Sequence, residues 1–306
     1  MNRISLSTMW GVGRFTHMEE FVARSRALGF DCIELNHQIT EPLLDEILAI
    51  YRDGTLVVTS VHDPCPNASP KLEVLPKVSD VDETARQAGV RSAKSTIDLA
   101  HRVRASFVVL HLGDVTELRG RAQRLRDHFH ESLGASPEYR AELSTFKEDF
   151  AALQQPHLDA VARSLEDLLP YARERGLRLG LENRYYVNEI PNLRQADWLL
   201  QRFTAGTAGY WHDVGHAEVQ ERMGFAAHRD WLETMGKRII GIHIHDVLPG
   251  GITDHQAAGL GNVDLRLVLA HLPAAAQRVC EFDRRNSEEQ VTAGLRHLSA
   301  MGFFSA

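Results

Sequence analysis

The stretch GIHIHD, residues 241–246, sets His243 and His245 two apart among branched apolar residues and closes on Asp246. Residues two apart on a strand share a face, so both imidazoles point one way while Ile242 and Ile244 point the other. Imidazoles and carboxylates held together are ligands for a divalent cation or partners in proton transfer. The same residue types recur along the chain: Glu182 in LEN (181–183), His212, Asp213 and His216 in HDVGH (212–216), Asp254 and His255 in DHQAAGLGNVD (254–264), and Glu281 and Asp283 in CEFD (280–283). His62 in VHDP, His111 in HLGD, and Glu34 and His37 in CIELNH extend the set. One such residue alone is ordinarily a hydrogen-bonded core residue. Several together would bury unpaired charge at several kcal/mol per ion, and a divalent cation is the economical compensation. The ligand types, imidazole and carboxylate without thiolate, suit Mn, Mg, Co, Fe or Zn.

The elements that must position these residues are short β-branched runs: 4–10, 32–37, 56–63, 107–114, 177–183, 209–215, 238–246 and 278–283. Between them lie amphipathic patterns such as MEEFVARSRALGF, PLLDEILAIYR, LRQADWLLQRF and SEEQVTAGLRHL, several opened by a polar residue or proline and closed by glycine. Strands alternating with helices predict an α/β fold, a (β/α)8 TIM barrel, in which the C-terminal ends of all strands meet at one mouth. The histidines and carboxylates fall at those ends. No linker or break in composition divides the chain, so a single domain over 1–306 is expected. The even spacing is broken between His111 and Leu177, where charged amphipathic sequence predicts a helical insertion at about 115–155, an extra helix leading into a long fourth barrel helix. It begins beside the mouth and is expected to form a lid or a subunit contact, the latter in a homodimer.

A net charge of −7 gives no global field to hold a polyanion, so nucleic acid is disfavoured. The N-terminal MNRISLSTMWGVG lacks the apolar core of a secretory signal, no run approaches a membrane span, and Cys32, Cys65 and Cys280 show no CxxC spacing. The cytoplasm is the expected compartment. Trp10, after strand one, is a candidate wall for a pocket, with a core or rim aromatic as the alternative. Cys65 has no evident base beside it, and PGG (249–251) reads as a turn.

In this order on successive strands, LEN, HDVGH, HIHD, DHQAAGLGNVD and CEFD resemble the xylose-isomerase-like barrels, which include sugar isomerases and epimerases and the endonuclease IV type of repair nuclease. The resemblance spans nearly the whole chain. It implies a metal held by Glu182, Asp213, His245 and Glu281, with Glu182 and Glu281 also serving as acid and base in moving a proton through a metal-stabilised ene-diolate. Trp10, Arg184, His216 and His243 are then the expected substrate-side residues, His243 lying a layer deeper and orienting carboxylates. A small sugar, sugar phosphate or polyol would be the substrate. The nuclease branch implies more metal: His62 and His111 match first-metal histidines, and His216 and His255 match third-metal positions. There one residue separates the aspartate from the histidine, and the position where that aspartate would stand is Thr253 here. Asp254 adjoins His255 instead and counts against a third ion. Two substrate-contacting positions of well-studied epimerases fall at Asn188 and Gly251 rather than at glutamate and arginine, so recognition of a simple ketohexose is not expected.

Overall fold

The computed structural model describes residues 4–52, 54–69, 75–203 and 206–304; the first three residues of the N-terminal segment lie outside it. Eight strands, β1 (Ile4–Ser7), β2 (Cys32–Leu35), β3 (Val57–His62), β4 (Phe107–Leu110), β5 (Arg178–Glu182), β6 (Ala208–Asp213), β7 (Ile239–Ile244) and β8 (Gln277–Cys280), close into a barrel in chain order. Every pairing is parallel, including β1 with β8. All eight lie within the runs expected from the sequence except for Ala208 and Gln277, each one residue before its run.

The helices are α1 (Met18–Ala27), α2 (Glu41–Arg52), α3 (Glu83–Arg102), α4 (Arg119–Ser132), α5 (Pro137–Glu174), α6 (Leu193–Arg202), α7 (Val214–Arg222), α8 (His228–Met235), α9 (Leu265–His271) and α10 (Glu288–Met301). Their starts follow local chemistry. Asn192 with Gln195 and Ser287 with Gln290 form reciprocal capping boxes on α6 and α10, and Ser136 caps α5 ahead of Pro137. The expected insertion is α4 plus the first part of α5, which continues without interruption into the fourth barrel helix. Its 38 residues span roughly 57 Å at about 1.5 Å per residue. That length carries its N-terminal part beyond the barrel wall to the end of α7, where Tyr139 donates to Met223 O at 2.9 Å and Phe146 meets Phe225 edge-on at 5.8 Å.

The alternation of strand side chains divides the interior into two parts. Outward residues such as Leu179, Leu181, Ile242 and Ile244 join the main core under the helices, whereas Val109, Trp211, Ile240 and Val279 form a separate cluster. Trp211 is the largest piece, and its ring occupies the space that a Cβ on Gly180 or Gly241 would need. Those two glycines, unremarkable in the sequence, make room for one indole. Above it, at the mouth end, His243 meets Trp211 edge-on at 5.3 Å. Polar residues begin where this apolar plug ends.

Asp246 closes the mouth on the β7 side. It is buried and accepts hydrogen bonds from the backbone amides of Val247 (3.0 Å), Gly259 (2.9 Å) and Val263 (3.1 Å), pinning the loop that carries Asp254 and His255. The PGG segment is the tip of this loop, with Leu248 N bonded to Thr253 O. Asp246→Ala is expected to cost about 2–4 kcal/mol, since three buried amides lose a charged acceptor. Urea denaturation measures the cost, and limited proteolysis should show new cleavage between 247 and 264.

Candidate metal centre

The inward residues at the C-terminal ends of the strands converge. Ligand atoms of Glu182, Asp213, His243 and Glu281 all lie within 4.8 Å of one another, and all four residues are buried. His243 is at the middle: Nδ1 is 2.7 Å from Glu182 Oε1, 3.3 Å from Glu281 Oε2 and 3.5 Å from Asp213 Oδ2, while Nε2 faces Glu34 at 3.0 Å. Burial opposes its charge, but Glu281 and Glu34, with Asp213 and Glu182, hold its pKa well above the usual histidine value.

Each carboxylate has its own positioning device. Glu281 Oε1 accepts from Asn36 Nδ2 at 2.8 Å, and Glu34 accepts from Ser60 at 2.7 Å. Asp213 caps α7, accepting from His216 N at 2.7 Å, so the positive end of the helix favours its charge. The backbone of Asp213 is in turn clamped by the Asn183 amide, which accepts from Asp213 N at 2.7 Å and donates to Asp213 O at 2.8 Å. Glu182 is bonded by Arg184 and approached by His111 at 3.2 Å and His62 at 3.6 Å. Burial works against ionisation of Glu182, yet Arg184, His62, His111 and His243 keep it well below the usual carboxylate range. Asp213 is held low in the same way, against burial, by His216, His245 and His243.

The two histidines of GIHIHD take separate places. His243, expected a layer deeper as a partner that orients carboxylates, is in register with Asp213 and touches Glu34, Glu182, Asp213 and Glu281. His245 stands to one side, in a second group with His255 and Glu281. Its Nε2 faces Asp213 at 3.0 and 3.1 Å, and its Nδ1 accepts the His255 amide at 2.9 Å. Asp213 and burial together set its pKa: burial lowers it, but Asp213, Asp254 and Glu281 raise it to about 9.

Three carboxylates and an imidazole at these separations are a donor set that suits a divalent cation. The residues fit that group. Glu182, Asp213 and Glu281 with His243 or His245 would hold it. Room for His245 depends on Gly215 in HDVGH, because a Cβ there would collide with the imidazole. Gly215→Ala is expected to weaken Mn2+ binding about 10–100-fold by displacing His245, with the fold retained because alanine suits α7. Calorimetric titration with Mn2+ and circular dichroism measure the two halves of that statement.

Two further groups flank the centre: His37, His62 and His111 on one side, and His216, Asp254 and His255 on the other. The adjacency of Asp254 and His255 does not keep them apart. His255 has a positive φ of 53°, which turns its ring back so that Nε2 lies 3.5 Å from Asp254 Oδ2. On extended backbone the two side chains would face opposite ways.

Trp10 is not gathered into these groups. Its indole N–H donates to Asn286 O at 2.9 Å, and its ring packs on Phe15 and Phe21 beneath Arg14, so it serves as the core aromatic of the first loop. Arg184 is buried behind Glu182, bonded also to Glu189 at 3.2 Å. Cys65 is buried, and its thiol is pushed far up by that burial. Glu34, Asn36, His37 and Asn183 carry parts of the site that sequence reading left unassigned. Extending the period-two rule from Glu34 to Asn36 would have found the first pair.

A cavity of about 690 Å3 opens beside the centre, bordered by His111 and Arg184. The insertion forms part of its wall through Arg119, Gly120 and Gln123 of α4. Arg126, on the same helix, lies over Tyr185 at 4.6 Å and Tyr186 at 5.3 Å, fastening α4 to the loop after β5.

The fold and the converging strand ends define a TIM barrel with its polar site at the C-terminal mouth. The chain belongs to the xylose isomerase-like TIM barrel family, whose model matches residues 22–301. Solved structures similar to it include 3-keto-D-glucoside 4-epimerase YcjR from E. coli (TM-score 0.69, 17% identity, 98% of this chain and 100% of that one). D-psicose 3-epimerase from Clostridium cellulolyticum H10 is another (TM-score 0.66, 12% identity, 98% and 99%). A D-tagatose 3-epimerase-like protein is a third (TM-score 0.63, 19% identity, 98% and 97%). At these identities the likeness is one of fold. Uncharacterized protein y4fM of Sinorhizobium fredii is 27% identical over 193 residues, 63% of this chain and 51% of that protein. The chain thus spans about half the length of the curated relative it matches. No helix among the described residues is long and apolar enough to cross a membrane.

Proposed function

We propose that the protein is a divalent-metal-dependent isomerase or epimerase of a sugar, sugar phosphate or related polyol, acting in the cytoplasm. The observation that carries this reading is the meeting of Glu182 and Glu281, from strands on different sides of the barrel, in one buried group with Asp213 and His243. Two carboxylates flanking one position are what the exchange of a proton at a carbon next to a carbonyl requires: one removes it and the other returns it. A bound divalent cation would supply polarisation of the substrate oxygens, lowering the acidity barrier at that carbon. Glu182 is kept ionised by Arg184 and its neighbouring histidines, as a base must be. Glu281, held by Asn36 at one oxygen, presents the other toward the centre. The barrel-filling Trp211 and the packed loop after β7 keep bulk water from below and one side. The names of the similar structures, two carbohydrate epimerases and a D-tagatose 3-epimerase-like protein, support the same class.

A second reading, a multi-metal phosphodiester hydrolase of the endonuclease IV type, is favoured by the two flanking groups, His37/His62/His111 and His216/Asp254/His255. Metal analysis of protein purified without chelator separates the two. About one Mn, Co, Mg or Fe per chain, with deuterium uptake into a ketose in D2O, supports the isomerase or epimerase. Two or three Zn per chain, with cleavage of bis(p-nitrophenyl) phosphate and no deuterium uptake, supports the hydrolase instead.

A further inference from the structure

We infer that the substrate carries a second, uncharged sugar unit, a glycoside or disaccharide rather than a free monosaccharide, and that this unit occupies the cavity beside β3, β4 and β5. The inference rests on the isomerase or epimerase reading and adds the substrate class.

Size is the first argument. At about 30 Å3 per water molecule, a cavity of about 690 Å3 holds roughly twenty waters, whereas one hexose displaces roughly six or seven. The space also lies to one side of the reacting group. Only His111 and Arg184 are shared between the cavity wall and the surroundings of Glu182, so a ring placed over Glu182 and Glu281 leaves the cavity to whatever is attached to it.

Charge is the second. The lining holds three basic side chains, Lys77, Arg119 and Arg184, and three acidic ones, Asp63, Asp114 and Glu189. The basic groups are paired: Arg119 contacts Asp114 at 2.9 Å, Lys77 approaches the same Asp114 at 3.6 Å, and Arg184 contacts Glu189 at 3.2 Å, while Asp63 accepts from Thr96 at 2.8 Å. A wall with equal numbers of both signs has no surplus positive charge for a phosphate or carboxylate. It does offer alternating donors and acceptors, which suit hydroxyl groups that both give and accept hydrogen bonds.

The third argument is what remains unsatisfied and what the loop presents. Arg184 is only 6% exposed, and its Nε has no hydrogen-bond partner, so a buried donor borders the cavity. Tyr186, 44% exposed, is an aromatic residue in the same lining, and Asn188 and Gln123 add amides. An aromatic residue with amides and paired charges is a recognition surface for a pyranose.

The test uses full-length protein supplemented with Mn2+ and four ketoses in D2O: D-fructose, D-tagatose, lactulose and isomaltulose. The two disaccharides leave the carbonyl and its neighbouring carbons free. Proton NMR follows deuterium uptake beside the carbonyl, and calorimetry follows binding. At least a tenfold higher kcat/KM for one disaccharide than for either monosaccharide is expected. Gly120→Phe, on α4 where the glycine borders the cavity, should bring that ratio to about one or below. The inference is overturned if the monosaccharides exchange as fast as both disaccharides. If no ketose exchanges but a disaccharide binds at least tenfold more tightly, the two-unit cavity stands and the proton-transfer reading falls. Neither exchange nor a binding preference overturns both.

Discussion

Glu281→Gln is expected to lower turnover by about 10²–10⁴-fold, the range associated with loss of a positioned acid or base, while the barrel stays folded. The substitution keeps the shape of the side chain. The Oε1 position still accepts from Asn36 Nδ2, so the side chain is not released into the mouth. What changes is charge and proton capacity. The amide cannot take or return a proton, and one of the four carboxylates around His243 is gone. Two measurements separate these losses. If metal content falls together with activity and high Mn2+ restores the rate, Glu281 acts mainly as a ligand. Full metal occupancy with lost deuterium exchange assigns it the proton-transfer role. Retained exchange at normal rates would sink the two-carboxylate mechanism.

How much of this was legible in the sequence differs between the frame and the site. The strands announced themselves because parallel barrel strands are buried on both faces and read as apolar runs, and because all but the first carried His, Asp or Glu near the end. The site required distances that period-two alternation does not supply. Alternation placed His243 and His245 on one face but could not say which of them lies among the carboxylates; the register of β7 against β6, shifted at Tyr210/Trp211, decides that. Spacing alone could not bring the Asp254 and His255 side chains together, since a left-handed backbone at a non-glycine residue leaves no mark in sequence. Trp10 shows the converse: an aromatic after a strand is equally suited to wall or core, and only its bond to Asn286, 276 positions away, determines which. The glycines 180, 215 and 241 look like three of the chain's 22, yet each yields space to one particular ring.

The metal-free protein is expected to lose stability as pH rises from about 6.5 through 9, while the Mn2+-loaded protein does not. The sign follows from the imidazoles. His243 has a raised pKa, and that of His245 is raised to about 9, so each contributes stability that is fully present below its unfolded value near 6.5. That contribution is lost as pH climbs through the folded value. Glu182 and Asp213 act in the opposite direction. Their lowered pKa values give stability that is present above about 4 and is lost only as pH falls below that. Deprotonation at high pH therefore leaves carboxylates packed together without the cation that balanced them, which is the condition under which a divalent ion binds best. Thermal melts at pH 6, 7.5 and 9, with EDTA and with excess Mn2+, should show a stabilisation by metal that is small at pH 6 and widens to several degrees at pH 9. Asp213→Asn should abolish the widening, because it removes both a ligand and the partner that raises His245. A metal-induced shift independent of pH would mean that protons and cation do not compete for this centre, and the assignment of the donor set would fall with it.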